Sequence, residues 1–247
     1  MMSEQGAIQI YYSARVNRLV DALNSDIKSH YGKQPNPLKP LSIIVPNGHI
    51  QKYLNRRSTE INGIAANLEF PFLESGLYQA LSDTQRQKTP SLLSVQDMEL
   101  ALWGFFCNAD NQGDPVLSPL YDYLFSQQNP VLLSQKRWQL AEQLALLFID
   151  YELSRPDMIA AWLAGRLFFS HSQNKRLKQI EAAQRAVYLD LFKGTNHGVT
   201  LNGLLQALEP EQPQQSQSLF LFVPSRLSPL HRHIILLLAQ YYPVHIY

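Results

Sequence analysis

Leu41-Ser42-Ile43-Ile44-Val45 is a nearly continuous apolar run, closed by Pro46-Asn47-Gly48. Polar residues do not alternate through it, so neither face is built for water. Such a run suits a strand buried on both faces, as in a parallel sheet covered by helices. The flanks agree. Ile8 to Tyr12, rich in β-branched and aromatic residues, predicts a short strand. Val16, Leu19, Val20, Leu23 and Ile27 then recur at helical steps and form one apolar stripe. Gly32 to Pro40 is a loop with three prolines, and His49 to Ile61 reads as a second helix. Strand, helix, strand, helix is how an α/β parallel sheet begins.

The middle of the chain differs. From about Leu73 to Leu208 the spacing predicts helices and no strand. Ser94-Val95-Gln96-Asp97 fits a helix start, followed by Met98, Leu102, Trp103 and Phe106 on an inner face. Ser134 is placed as the cap of a long helix reaching Leu153, with Trp138, Leu144, Leu147, Phe148 and Tyr151 on its buried side. Pro156 suits the first turn of another helix, whose inner face includes Ile159, Trp162 and Leu163. A further helix is expected from Arg176 to Phe192, and Thr200 can cap one more. Glu209 to Ser218 is polar and low in complexity, a linker. Strand chemistry returns at Leu219–Val223 and Pro243–Tyr247, with a helix over Pro229–Gln240 between them. The simplest assembly is one α/β domain made of residues 1–75 and 215–247, with an all-helical subdomain inserted at 76–214. The chain stops on a strand, which fits a longer protein cut short as well as a natural terminus.

Charge and cysteine content narrow the function classes. The 247 residues carry a formal charge of +1, so any site for a polyanion must be a local cluster of Lys and Arg. Cys107 is the only cysteine, which suits a reducing compartment. The start, Met1 to Gly6, lacks the basic-then-apolar order of a signal peptide. No apolar run approaches the ~18 residues of a membrane span. A cytoplasmic protein that does not enter membranes is expected.

Ligands of parallel sheets bind beyond the carboxyl ends of the strands. Three such ends are readable: Tyr12-Ser13-Ala14-Arg15, Pro46-Asn47-Gly48-His49 and Pro224-Ser225-Arg226. Each leads into a helix, whose amino terminus offers free N–H groups to an anion. One reading is a crevice that touches phosphates through Ser13, Arg15, Lys52 and Arg226. The other is that Ser, Asn and Gly are helix caps and nothing more. A phosphate-binding loop requires Gly-x-x-x-x-Gly-Lys-Ser/Thr, so that backbone N–H groups can wrap the phosphates. Tyr12-Ser13-Ala14-Arg15-Val16-Asn17 has neither glycine nor lysine, and the pair Gly32-Lys33 lies in a Pro-rich loop. ATP hydrolysis is therefore not expected. No metal or catalytic motif appears, and no cofactor is expected. His231 and His233 diverge on a helix and read as surface or interface residues; Asp150 and Glu152 diverge likewise and read as a solvated edge. Tyr53, Phe72 and Tyr78 flank the crevice and could stack on unpaired bases or pack the core. Trp103, Phe106, Trp138 and Phe148 follow helical spacing and are read as core.

Asn62 to Phe72 is too apolar for a surface loop and too rich in Gly, Ala, Asn and Pro for one regular element. It reads as an irregular connection packing inward. Within it, Gly63-Ile64-Ala65-Ala66-Asn67-Leu68-Glu69-Phe70-Pro71-Phe72 resembles a stretch near the amino terminus of the RecC family, the gamma subunits of exodeoxyribonuclease V. Val45 to Leu54 is similar to the family's Val-Gln-Ser-Pro-Gly-Met-Gln-Arg-Trp-Leu, with Gln51 and Leu54 matching and Lys52 and Tyr53 as conservative replacements. Arg155-Pro156-Asp157 after Tyr151 resembles its Tyr-x-x-x-Arg-Pro-Asp-Trp. The likeness runs through most of the chain in order and is loose between Asp83 and Pro130.

The resemblance implies a degenerate helicase-like sheet domain, akin to P-loop NTPases, that has lost its ATPase motifs. It implies a non-catalytic subunit of a helicase-nuclease for double-strand break repair. Such a subunit holds RecB-like and RecD-like partners, splits forked DNA and guides the 3′-ended strand past a hotspot sensor. Asn47, Gln51, Lys52, Tyr53, Asn67, Phe72, Tyr78 and Arg155 would then face single-stranded DNA. Lys52 and Arg155 would contact phosphates or base edges, while Tyr53 and Phe72 would stack or pack. Pro46, Asn47, Gly48 and His49 depart from the family's Gln-Ser-Pro-Gly, so a hotspot read there would differ. Two rivals remain open. One is an α/β enzyme binding a nucleotide at Ser13 to Arg15 without the standard loop. The other is a fragment that binds only protein partners.

Overall fold

The apolar run at Leu41 does form a strand with a strand on each side. In the computed structural model, which describes residues 8–31, 40–63, 66–84, 90–126, 129–193, 198–206, 218–223 and 226–247, five strands make one parallel sheet. They are β1 (Ile8–Ile10), β2 (Leu41–Ile44), β3 (Leu68–Glu69), β4 (Leu219–Leu221) and β5 (Val244–Ile246), in the order β1-β5-β4-β2-β3. Ile43 pairs with Phe220, and Leu219 with Val244. Leu41, Ile43 and Ile44 are buried, as a strand covered on both faces demands.

Ten α-helices occur among the described residues. In chain order they are α1 (Val16–Tyr31), α2 (Gly48–Asn62), α3 (Leu73–Ser82), α4 (Val95–Cys107), α5 (Ser118–Leu124), α6 (Pro130–Ser154), α7 (Pro156–Leu163), α8 (Lys175–Lys193), α9 (Leu201–Gln206) and α10 (Pro229–Leu238). The chain divides into two compact units, a sheet unit of residues 1–89 with 207–247 and a helical unit of residues 90–206. The expected boundary at 75/76 falls inside α3. That helix packs on β2 and α10 and stays with the sheet. The linker read at Glu209 to Ser218 lies, except for Ser218, outside the described residues.

In the sheet unit, helices cover both faces. Leu19, Val20, Leu23 and Ile27 of α1 and Leu54 of α2 pack with Leu41, Ile43, Val45, Phe220 and Phe222. Successive strand residues point to opposite faces, so Ile44 faces the other way, and there Gly76 of α3 lies against it. Helix α10 packs on α3. Thus α1 and α2 share one face, and α3 and α10 share the other. The connections β1→β2→β3 run in one direction across the sheet and β4→β5 runs in the opposite one. The topological switch point therefore falls between β2 and β4.

The stretch before α3 is more regular than expected. Leu68 and Glu69 pair with Leu41 and Ser42. Asn67 makes this register possible: it adopts the left-handed region at φ 58, and its carbonyl accepts the Leu41 N–H at 2.8 Å. Asn tolerates that conformation because its short amide can bond locally.

The helical unit has an aromatic core. Phe148 lies edge-on to Trp162 and to Tyr188, at 6.5 and 5.5 Å between centroids. Ser94 and Asp97 form the full capping box on α4. Helix α6, however, starts at Pro130 and not at Ser134. Asn129 Oδ1 accepts the Val131 N–H at 3.0 Å, and proline occupies the first turn. Two tryptophans read as core are at the surface, Trp103 at 36% and Trp138 at 47% exposure. With Leu100, Gln135 and Gln139 they line an open groove between α4 and α6. Their truncation should differ sharply from that of buried Trp162. Trp138→Ala is expected to change stability by under about 1 kcal/mol, and Trp162→Ala to cost ~3–5 kcal/mol. Urea denaturation followed by circular dichroism measures both, and equal losses would contradict these placements.

Candidate nucleic-acid interface

The ladder of the central strands continues to their carboxyl ends. Phe222 N–H donates to the Ile44 carbonyl and Val45 N–H to the Pro71 carbonyl, each at 2.9 Å. The loops that follow β2, β3 and β4 therefore leave the sheet at one edge. Asn47 begins α2, Phe72 begins α3, and Arg226 lies on the way to α10.

Two of the polar residues at this edge serve the backbone. Asn47 Oδ1 accepts the N–H groups of His49 and Ile50, both at 3.1 Å, and so caps α2. Ser13 Oγ accepts the Arg15 N–H at 3.1 Å and shapes the turn after β1. Phe72 is different. It occupies the cap position of α3 without any side-chain cap bond, and its ring is 49% exposed.

The remaining expected residues fall into distinct settings. Lys52 and Arg15 are exposed, as is Arg226. None of the three is in an ion pair among the described residues, whereas Arg56 and Arg57 share Glu60 at 3.5 and 2.6 Å. Gln51 is half-buried in the first turn of α2. Tyr53 is half-buried as well: its hydroxyl bonds Asn17 and its ring packs beside the α1–α2 core, so it braces the two helices together. Tyr78 is half-buried in α3, and Asn67 is exposed beside β3. Arg155 is exposed between α6 and α7, where its carbonyl accepts the Met158 and Ile159 N–H groups at 3.1 and 3.2 Å. The expected set thus divides, with Arg155 alone in the helical unit and the others in the sheet unit. Ser225 lies outside the described residues.

Several residues at or near the edge escaped the sequence reading. Tyr12 is 92% exposed, directly after β1. Tyr11 stacks on Tyr247 at 4.6 Å and 7°, and the Tyr247 hydroxyl donates to Asp26 at 2.5 Å. Burial, followed by the hydrogen bond with Asp26, pushes the Tyr11 phenol up to about 12. This cluster ties the ends of β1 and β5 to α1. Its partners are more than 200 residues apart, so no local pattern could signal it.

His231 corrects another expectation. It is buried, not at the surface, and its Nε2 lies 3.7 Å from Glu74. Burial pushes its pKa below the ordinary 6.5, opposed by Glu74. His245, near Asp26, is lowered for the same reason. The folded protein therefore resists protons that the unfolded chain accepts. By linkage, stability is full above the unfolded value of 6.5 and falls as pH drops below it. Between pH 7.5 and 5.5 the wild type should therefore lose stability relative to His231→Gln, and a urea-midpoint difference between the two that does not change with pH would refute this origin.

Among the described residues there is no group of three metal-ligating side chains, and no helix is long and apolar enough to cross a membrane. The fold and its edge define a class: a parallel α/β protein whose carboxyl edge carries capped turns and exposed cations in place of a glycine-rich phosphate loop. The chain belongs to the RecC N-terminal domain family, whose model matches residues 8–247. It is also 28% identical over 162 residues to the RecBCD enzyme subunit RecC of Haemophilus influenzae. That match covers 63% of this chain and 14% of the relative.

Proposed function

We propose that this chain is the amino-terminal part of a RecC-type subunit, which guides single-stranded DNA and helps hold RecB-like and RecD-like partners in a helicase-nuclease for double-strand break repair. In this reading its sheet unit is a helicase-like framework without a fuel site, and the helical unit is an insertion in it. The observation that carries the reading is the family match over residues 8–247, joined to exposed Arg15, Lys52, Arg226 and Phe72 after the carboxyl ends of β1, β2, β4 and β3. Cations that are in no ion pair among the described residues remain available to phosphates. An exposed ring at a strand end offers a base a stacking surface, worth ~1–3 kcal/mol. The subunit itself has no hydrolytic role here, because the turn from Tyr12 to Asn17 offers no glycine for phosphates to approach.

The test is a salt titration of single-stranded oligonucleotide binding by the assembled complex. Lys52→Ala and Arg155→Ala should each flatten the dependence of log affinity on log salt by about 0.7 per lost phosphate contact. Phe72→Ala should weaken binding at every salt concentration by roughly 5- to 150-fold, the equivalent of one lost stack. Unchanged affinity and slope in all three would refute DNA guidance and leave a role confined to protein partners.

A further inference from the structure

In the helical unit, the opening stretch Ser91–Leu93 and the stretch Val199–Thr200 before the unit's last helix are tied together. Leu92 and Val199 form a parallel bridge. Leu93 N–H donates to the Val199 carbonyl and Val199 N–H to the Ser91 carbonyl, both at 2.9 Å. Gly198 permits the approach: its φ is 107, and a Cβ there would lie 2.7 Å from the Ser91 oxygen.

Next to this neck stands a buried carboxylate that DNA guidance does not use. Glu152, in the last turn of α6, is 5% exposed, where the sequence placed it on a solvated edge. It accepts the Tyr188 hydroxyl of α8 at 2.7 Å. The Thr200 hydroxyl and the Asn202 backbone N–H also face it and favour its charged form. Thr200 Oγ1 in turn accepts the Gly203 N–H at 3.0 Å and so starts α9. One side chain thus stands where α6, α8 and the start of α9 meet.

The surroundings leave its charge uncompensated. Tyr188 is the titratable group that faces it from α8, and α9, Leu-Asn-Gly-Leu-Leu-Gln, contains none. Asp150 on its own helix, Arg155 just beyond that helix and Asp157 on α7 are exposed. Among the described residues no Lys or Arg is ion-paired with it. A buried carboxylate without a cation favours its neutral form, or a rearrangement that lets water in.

We propose that Glu152 is an ionisation-controlled clasp at the neck of the helical unit: the neutral carboxyl keeps α9 docked on α6 and α8, and the carboxylate favours release of α9 into water. Burial agrees, lifting its pKa to about 6 against the weaker opposing effect of its hydrogen bonds. The clasped state therefore binds the proton more tightly than the open one. Closure is fullest below the ordinary value of 4.5 and weakens as pH rises through about 6. A displacement of that size corresponds to an opening constant up to about 30-fold larger at high pH.

Amide hydrogen exchange of residues 199–206 in the whole chain, at pH 5 and pH 8 and corrected for intrinsic rates, tests this. Wild type should open roughly 8-fold more at pH 8 than at pH 5. Glu152→Gln, which keeps an acceptor but cannot ionise, should be insensitive to pH. Tyr188→Phe keeps the ring and removes one bond to the carboxylate, so it should enlarge the effect and move its midpoint upward. Buried α4 amides report unfolding of the whole unit, and residues 199–206 should open at a lower free energy than these. Flat protection in wild type, unaltered pH dependence in either variant, or residues 199–206 no less protected than the α4 amides would each overturn the proposal.

Discussion

Glu181→Ala is expected to destabilise the helical unit by about 3–5 kcal/mol, among the largest losses from any single side chain of this protein. Glu181 is 2% exposed and lies in α8. Its Oε1 accepts the Trp162 indole N–H at 2.9 Å and the Phe168 backbone N–H at 2.5 Å, and its Oε2 accepts the Phe169 N–H at 3.0 Å. Truncation would leave three donors without a partner, and each unsatisfied buried donor costs ~1–3 kcal/mol. The two backbone groups are only partly buried, so water recovers some of the loss, and the expected total stays below the simple sum. Trp162 also anchors the core through Phe148 and Tyr188, so the damage spreads into packing. Glu181→Gln keeps one acceptor oxygen but turns an NH₂ toward the remaining donor, and about half the loss should remain. Urea denaturation followed by circular dichroism should show a lower midpoint with an unchanged slope. A loss under 1 kcal/mol for the alanine variant would mean that the carboxylate is dispensable.

The second large effect lies in the sheet unit. Gly76→Ala in a helix interior ordinarily stabilises by about 1 kcal/mol. Here it should destabilise by about 1–3 kcal/mol, the usual penalty of overpacking a filled core. A Cβ at Gly76 would meet Ile44 Cγ1 at 2.6 Å and Cδ1 at 2.9 Å. Ile44 is 1% exposed, and its carbonyl holds Phe222 in the sheet, so neither the strand nor the branched side chain can yield cheaply. Helix α3 would have to lift, carrying Phe72 with it. Ile44→Ala alone leaves a cavity, but in combination it makes room for the new methyl. The double variant should therefore be at least 1 kcal/mol better than the sum of the two single losses. Additive losses would show that the helix adjusts freely.

Each miss in the sequence reading has a particular cause. Helix α6 carries more apolar residues than one buried stripe can hold. Periodicity alone could not tell that Trp138 belongs to the surplus while Phe148 belongs to the core. Glu152 and Asp150 diverge on the helix as read, but divergence does not say which of the two points inward. The donors that settle it come from Tyr188, Thr200 and Asn202, at least 36 residues away. The short strand at Leu68 was hidden because two residues carry no alternation, and its register depends on the left-handed Asn67. At the carboxyl edge, Asn47 and Ser13 were read either as caps or as ligand contacts, and both do bond the neighbouring backbone.

The sequence by itself determined the α/β class of the sheet region, the helical middle, the lack of a phosphate loop and the likeness to RecC at Gly63 to Phe72. All of these are local: a strand buried on both faces, a capping box and a missing glycine are written within a few adjacent residues. Only the tertiary structure decided the order β1-β5-β4-β2-β3, the switch point between β2 and β4, and the burial of Glu152, Glu181 and His231. Those depend on partners distant in the chain, and the free energy of a buried polar group is set by whichever donors the fold brings to it.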